Sequence, residues 1–367
     1  MMSVQVSYHK QFLFMLCLIL IVLVAIEGGS RVYLTYFVSC AAMESDTYDH
    51  LDHDTKRKMC NDYDNIIRYR LPHRHHEPNQ HFETYNINNE GFRGSEILKE
   101  KPANTYRIFV VGGSTVFGDS STSDNTTIPG YLQQEFDKTN LDFKVEVINA
   151  GQMGMYSWGE LQTVKNTLIH YNPDLVIIYD GWNDLINPYS LIKDGTTTNS
   201  SFEKFWDNLR VNISFYKTLI AGYIIQESII DATTGNFIFK NFEPNETPEK
   251  SLVWENRMKD ICEFGKSKNF ETMVYLQPFV NPERKPLTEF EQKYWNLWKM
   301  ESISPSYQYY VDKLDGIENY CTRATSLENV FSGMSEPLFT DGIHLGDRGN
   351  QIVAKKIFET VFPVVQN

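Results

Sequence analysis

Beyond position 81 the chain has only two of its nine histidines, His170 and His344. Any chemistry there that needs an imidazole must use one of them. Basic residues are also scarce, with 34 Lys and Arg against 47 Asp and Glu and a net charge of −13. Binding to a phosphate backbone rests on Lys and Arg neutralising phosphates, so this balance argues against a nucleic acid partner. There is no Gly-rich dinucleotide fingerprint and no His-rich helix pair, which leaves redox and metal enzymes poorly supported. No internal repeat is visible. The Gly-x-Ser-x-Gly elbow of the α/β-hydrolases is missing as well, because position 116 is Val.

What is present begins with an apolar run, residues 12–26 (FLFMLCLILIVLVAI). It lies between the length of a signal-peptide core and a full span of about 20 residues. No A-x-A-like cleavage site follows directly, which favours a retained anchor over residues 1–30, single-pass, with the bulk of the chain outside the cytoplasm. Lys10 and Arg31 nearly cancel as orientation signals. One of the five cysteines, Cys17, lies inside the run, leaving an even four. That number fits two disulfides in an oxidising compartment, and proximity pairs Cys40 with Cys60 and Cys262 with Cys321. Four glycosylation sequons, at Asn125, Asn199, Asn212 and Asn245, are permitted by an exported reading. Residues 31–84 are polar and charge-mixed and read as a juxtamembrane linker. Within them His73-Arg-His75-His76 has no paired Cys or carboxylate at ligand spacing, so solvated linker is preferred to a metal site.

From residue 85 a folded domain is expected, opening with a short strand or hairpin around Tyr85-Asn-Ile-Asn-Asn-Glu-Gly91-Phe-Arg-Gly94. From residue 105 the pattern becomes βα repeats. Strands are expected at 107–112, 144–149, 175–179 and 272–277, and helices at 128–138, 158–170, 249–268 and 347–361. Strands alternating with helices imply right-handed crossovers and a parallel three-layer α/β/α sheet. Aromatic-rich insertions at about 185–247 and 287–319 interrupt the rhythm.

The stretch that organises the rest is Arg107-Ile-Phe-Val-Val-Gly-Gly-Ser114-Thr. A buried strand ends abruptly at two glycines, and a serine stands where the chain turns towards a helix, at the sheet edge where α/β folds keep their sites. A serine hydroxyl is a poor nucleophile until a base takes its proton, and that base needs an acid to orient it. His170 ends a helical pattern before Asn172-Pro173, where a structural role suffices. His344 lies in Asp341-Gly-Ile-His344, where a turn can set the carboxylate against one ring nitrogen. Two further loops at carboxyl ends of strands supply candidate oxyanion donors. In Asn149-Ala-Gly151-Gln-Met-Gly154, Gly154 offers a backbone N–H and Gly151 competes with it; in Asp180-Gly181-Trp-Asn183, Asn183 offers a side-chain amide.

These four motifs, in the order Ser, Gly, Asn, Asp-x-x-His, resemble those of the SGNH hydrolases, the GDSL esterase/lipase family. The resemblance covers about residues 85–362 apart from the insertions. It implies a flavodoxin-like sheet with Ser114 as nucleophile. Asp341 and His344 would be acid and base, and Ser114, Gly154 and Asn183 the oxyanion hole. The spacing Asn-Ala-x-x-x-Gly from Asn149 favours Gly154, and Asn88-Asn-Glu-Gly91-Phe92-Arg93-Gly94 is similar to a lead-in of membrane-linked members. The chain departs from the pattern in reading Gly-Gly-Ser-Thr rather than Gly-Asp-Ser-Leu. The implied activity is hydrolysis of acyl or acetyl esters without a cofactor. Two alternatives remain at this stage: acyl transfer to a carbohydrate hydroxyl, and a catalytically idle binding domain. The substrate is thus expected to be an acyl ester, free or carbohydrate-linked.

Overall fold

The computed structural model describes residues 7–37, 40–66, 76–187, 190–191 and 242–366. The chain divides into two compact units, Met1–Ser39 with Ser201–Phe237 and Cys40–Ser200 with Ile238–Asn367.

In the first unit one helix runs over Tyr8–Phe37, well past both ends of the expected 12–26. Glu27 and Arg31, one turn apart and 2.9 Å from each other, compensate their charges and let the helix continue beyond the apolar run. Its portion Tyr8–Tyr33, with an 18-residue stretch of mean hydropathy 2.7, is long and apolar enough to cross a membrane. A signal sequence passes the same test of length and composition.

The second unit is a five-stranded sheet with helices on both faces. The short strands β1 (Gln80–His81) and β2 (Asn86–Ile87) pair antiparallel at its entrance. The main sheet holds β3 (Thr105–Gly112), β4 (Lys144–Asn149), β5 (Leu175–Asp180), β6 (Glu271–Leu276) and β7 (Arg323–Ser326). Its order is β4-β3-β5-β6-β7 with every pairing parallel. The direction of winding reverses at β3, so a crevice opens at the carboxyl ends of β3, β4 and β5. This is the α/β architecture expected from the βα rhythm.

Alternation along each strand sends side chains to two separate cores. Phe109, Val111, Val176, Ile178, Val274 and Leu276 pack on one face beneath the helices Ser157–Asn166, Thr247–Lys268 and Met300–Val311. Ile108, Val110, Leu175, Ile177, Met273 and Tyr275 pack on the other beneath Ile128–Asp137 and Asp347–Val365. Each such side chain contributes about 1.5–3 kcal/mol relative to an exposed one. The strands therefore read as unbroken apolar runs, because both faces are covered. The Cys262–Cys321 disulfide ties the long helix to the approach to β7.

Three expectations need correcting. Strand β7 was not anticipated: Arg-Ala-Thr-Ser is a four-residue edge strand without an apolar run, and its first residue is exposed. Residues 287–319, expected only as an insertion, form the three helices Glu289–Leu297, Met300–Val311 and Leu314–Glu318, with Tyr307, Tyr310 and Ile317 in the core. The stretch 40–66 is folded, and the reading of 31–84 as a linker fails there. It carries helices Ala41–Glu44 and His53–Asn65 and a Cys40–Cys60 disulfide, and its Tyr48 is buried within the second unit. Of the His-rich motif, His73 and His75 lie outside the described residues, while His76 is buried and stacked on the Phe117 ring at 4.7 Å. The insertion expected at 185–247 falls largely on 192–241, outside the described residues.

Candidate active site

Ser114 begins the short helix Ser114–Phe117 directly after β3, with Gly113 at its N-cap. The turn is closed by Val116 N and Phe117 N donating to Gly113 O at 3.2 and 3.0 Å. Asn149, at the end of β4, donates from Nδ2 to Val116 O at 2.9 Å and accepts from Gly151 N at 3.0 Å. The Ser114 turn is thereby tied to the neighbouring loop. On its far side the buried guanidinium of Arg93 donates to Phe117 O and Gly118 O at 2.9 and 2.7 Å, and pairs with Asp124 at 2.7 Å. The lead-in Asn-x-x-Gly-Phe-Arg-Gly thus serves as a brace: Arg93 satisfies the carbonyls that the short helix leaves open.

His344 sits 230 positions further on, in a hairpin-like loop closed by an antiparallel bridge between Phe339 and Leu345. Thr340 N donates to His344 O at 2.9 Å, and Gly346 N to Leu338 O at 2.9 Å. Asp341 Oδ1 accepts from the backbone N–H of Ile343 and of His344, each at 2.8 Å, and Asp341 Oδ2 lies 2.6 Å from His344 Nδ1. A carboxylate accepts only, so Nδ1 carries a proton, and in the neutral ring Nε2 is left as an acceptor. Nε2 in turn lies 2.7 Å from Ser114 Oγ. Ser114, His344 and Asp341 are brought together in one line. His170, the other histidine of this stretch, lies exposed at the end of a 3₁₀ turn and takes no part in that line.

The electrostatics follow from this geometry. Burial would raise the Asp341 carboxyl, but the His344 charge and the three N–H donors outweigh it and hold it below the usual carboxylate range. Burial would likewise lower His344; the carboxylates of Asp341 and Asp119 overcome this and push the imidazole up to about 9. Asp119 Oδ2 is 3.6 Å from Nε2, the ring nitrogen that faces the serine.

The remaining expected residues lie on the loops after β4 and β5. Asn183, in the helix Trp182–Ile186 after β5, donates from Nδ2 to Met155 O at 2.6 Å. The same amide presses on the serine turn so closely that a Cβ at position 113 would collide with it. Gly154 is exposed and takes φ +64°, a left-handed conformation, in the loop after β4. A Cβ on Gly151 would strike the backbone N of Phe117, so that glycine is required by packing beneath the serine helix. Among the described residues no three His, Cys, Asp or Glu side chains gather as a metal site.

Comparison with known proteins gives the family. The family model described as GDSL-like lipase/acylhydrolase matches residues 108–357, from β3 through most of the last helix. The chain belongs to that family. As a GDSL-like acylhydrolase it is an enzyme acting on ester bonds. Among solved structures it is similar to the lipase/acylhydrolase from Enterococcus faecalis, with 14% identity and a TM-score of 0.42 over 70% of this chain and 95% of that one. It is also similar to the acetyl xylan esterase AlAXEase, with 13% identity and a TM-score of 0.41 over 70% and 100% of the two chains. No curated protein matches it.

Two side chains of this GDSL domain were not singled out from sequence. Arg93 lay inside a recognised motif, but nothing local shows that its partners are carbonyls 24 and 25 positions ahead. Asp119 had one available signal, being the first acid after Ser114, five residues on.

Proposed function

We propose that this protein is a serine esterase in which Ser114 is the nucleophile, His344 the general base and then acid, and Asp341 the residue that fixes the histidine tautomer. The observation that carries this reading is the unbroken line Ser114 Oγ to His344 Nε2 at 2.7 Å and His344 Nδ1 to Asp341 Oδ2 at 2.6 Å. Ser114 attacks the ester carbonyl as Nε2 takes its proton. The imidazolium passes that proton to the departing alcohol, and the acyl group stays on Oγ. A water molecule, deprotonated by the same nitrogen, then releases the acid.

Oxyanion charge is met by the backbone N–H of Ser114 and of Gly154 and by the Asn183 amide. One Asn183 N–H is held by Met155 O, which fixes the amide plane; the second serves the acyl oxygen. The Gly151 N–H is already donated to Asn149 Oδ1 at 3.0 Å, which supports Gly154. The apolar helix Tyr8–Tyr33 supports a single-pass anchor. The Cys40–Cys60 and Cys262–Cys321 disulfides support a catalytic domain outside the cytoplasm.

The test compares the native chain with Ser114→Ala on short-chain p-nitrophenyl esters, together with labelling by an organophosphonate mapped by peptide mass. Hydrolysis and an adduct on Ser114 in the native chain, both lost in the variant, are expected. Equal turnover by the two proteins would overturn the proposal. Product appearing on an added sugar hydroxyl instead of as free acid would turn the same triad to acyl transfer.

A further inference from the structure

The imidazole of His344 lies between two carboxylates with different stations. Asp341 holds Nδ1, on the side away from the serine. Asp119 approaches Nε2, the nitrogen that Ser114 Oγ also meets. We infer that Asp119 is a selectivity residue: its carboxylate faces the path of the departing alcohol, admits alcohols that bring a positive charge or hydroxyl donors, and rejects those carrying a negative charge. The inference rests on the proposed triad, because only there does the alcohol oxygen take its proton from Nε2.

Three observations fix the carboxylate in that place. Asp119 N and Gly118 N both donate to Ser114 O, at 3.0 and 2.9 Å, so residue 119 is one turn from the nucleophile by construction. The residues on either side are clamped as well, with Arg93 donating to Gly118 O at 2.7 Å and the Tyr48 hydroxyl to Ser120 O at 2.5 Å. Finally, the Asp119 side chain is 20% exposed and that of His344 13%, so the carboxylate is neither sealed in the core nor fully solvated. A charge at the mouth of a partly dried cleft acts on a ligand more strongly than in bulk water.

Nε2 is within 3.6 Å of the carboxylate and must hydrogen-bond the leaving oxygen, so the first few atoms of the alcohol pass close to Asp119. A full charge there, about 6 Å away, is worth roughly tenfold in either direction at an effective dielectric between those of the protein surface and water. An alcohol rich in hydroxyls suits the same place by donating to the carboxylate.

The experiment uses the full chain, its Asp119→Asn variant and Asp119→Glu. Substrates are three esters of one acyl group, the one the native chain turns over best in the p-nitrophenyl series. Their alcohols are choline, its neutral tert-butyl isostere, and an isostere bearing a carboxylate at the same place. The native enzyme should favour the cationic over the anionic ester in kcat/KM by about a hundredfold, tenfold for attraction and tenfold for repulsion. Asp119→Asn should bring that ratio to within about threefold of unity, and Asp119→Glu should restore much of it. Phosphonate labelling of Ser114 in each variant shows that the site is still assembled.

A native ratio near one overturns the inference. So does a uniform loss on all three esters with the ratio unchanged, which would make Asp119 a support for His344 alone. Absence of hydrolysis and of Ser114 labelling in the native chain would instead sink the proposed triad.

Discussion

Two groups of buried acids flank the Ser114 turn, and they behave in opposite ways. Asp341, reached by three N–H donors and facing an imidazole, is held below the usual carboxylate range. Behind the Asn183 loop lie Glu160, Asp180 and Asp184, all buried. There burial comes first and repulsion among the three acids follows, raising Glu160 and Asp180 well above that range. Both Glu160 oxygens and Asp180 Oδ1 find no donor as anions, and a proton kept on one of the acids supplies it. Asp184 is the fixed point of this group. It accepts from Ser157 N and Oγ at 2.8 and 2.5 Å and lies 3.9 Å from the buried Arg257. Buried carboxyls thus ionise in opposite ways, and the number of donors supplied by neighbours decides which. One group is arranged to keep its charge beside the candidate nucleophile, the other to shed it beneath the loop of Asn183.

Breaking the charged side should have the largest consequence. Asp341→Asn should lower kcat by roughly a thousandfold to ten-thousandfold in a p-nitrophenyl ester assay, because the amide no longer forces the proton onto Nδ1. Asn183→Ala comes next, with kcat down about a hundredfold and KM changed much less, as for a donor used mainly in the transition state. On the other side, Asp184→Ala should cost about 3 kcal/mol in a urea denaturation curve, since the buried Arg257 guanidinium loses its counter-charge and the Ser157 N–H and hydroxyl lose their acceptor.

Two smaller effects depend on pH. A His344 pushed up to about 9 is protonated at neutral pH, so kcat/KM should rise with pH and level off above about 9; Asp119→Asn should move that rise to lower pH. The stability associated with the same shift is fully present below the unfolded value near 6.5, and is lost as pH rises through about 9. Glu160→Gln should change stability by less than about 1 kcal/mol at acid pH, where the native acid is also neutral. Because its folded value is raised, Glu160 contributes stability below the unfolded carboxylate range that is lost as pH rises through the folded value. The glutamine variant should therefore lose less stability than the native chain on moving to alkaline pH, as read by thermal melts.

The strands β3 to β6 and the helices around them were legible because both faces of the sheet are covered, and such strands spell out continuous apolar runs. Strand β7 was not, because four residues at an edge carry no such pattern. The fold of 40–66 was hidden for a related reason. Its polar residues read as solvated, yet Tyr48 donates to Ser120 O, and Ser45 and Thr47 donate to Phe339 O at 3.4 and 3.1 Å, bracing the loop that leads to Asp341 and His344. A polar side chain satisfied by a distant carbonyl looks, in one dimension, like one satisfied by water.

The chain by itself determined the parallel α/β frame, the apolar amino-terminal helix and the short roster of side chains able to form a site. These depend on periodicity, on runs of one polarity and on scarcity, all properties of neighbouring positions. Tertiary structure alone decided that an imidazole 230 positions away meets Ser114, that Gly151 is occupied by packing, and that Asp119 shares the ring nitrogen facing the serine. Hydrogen bonding and Coulomb interactions act over a few ångströms in space, and distance along the chain carries almost no record of them.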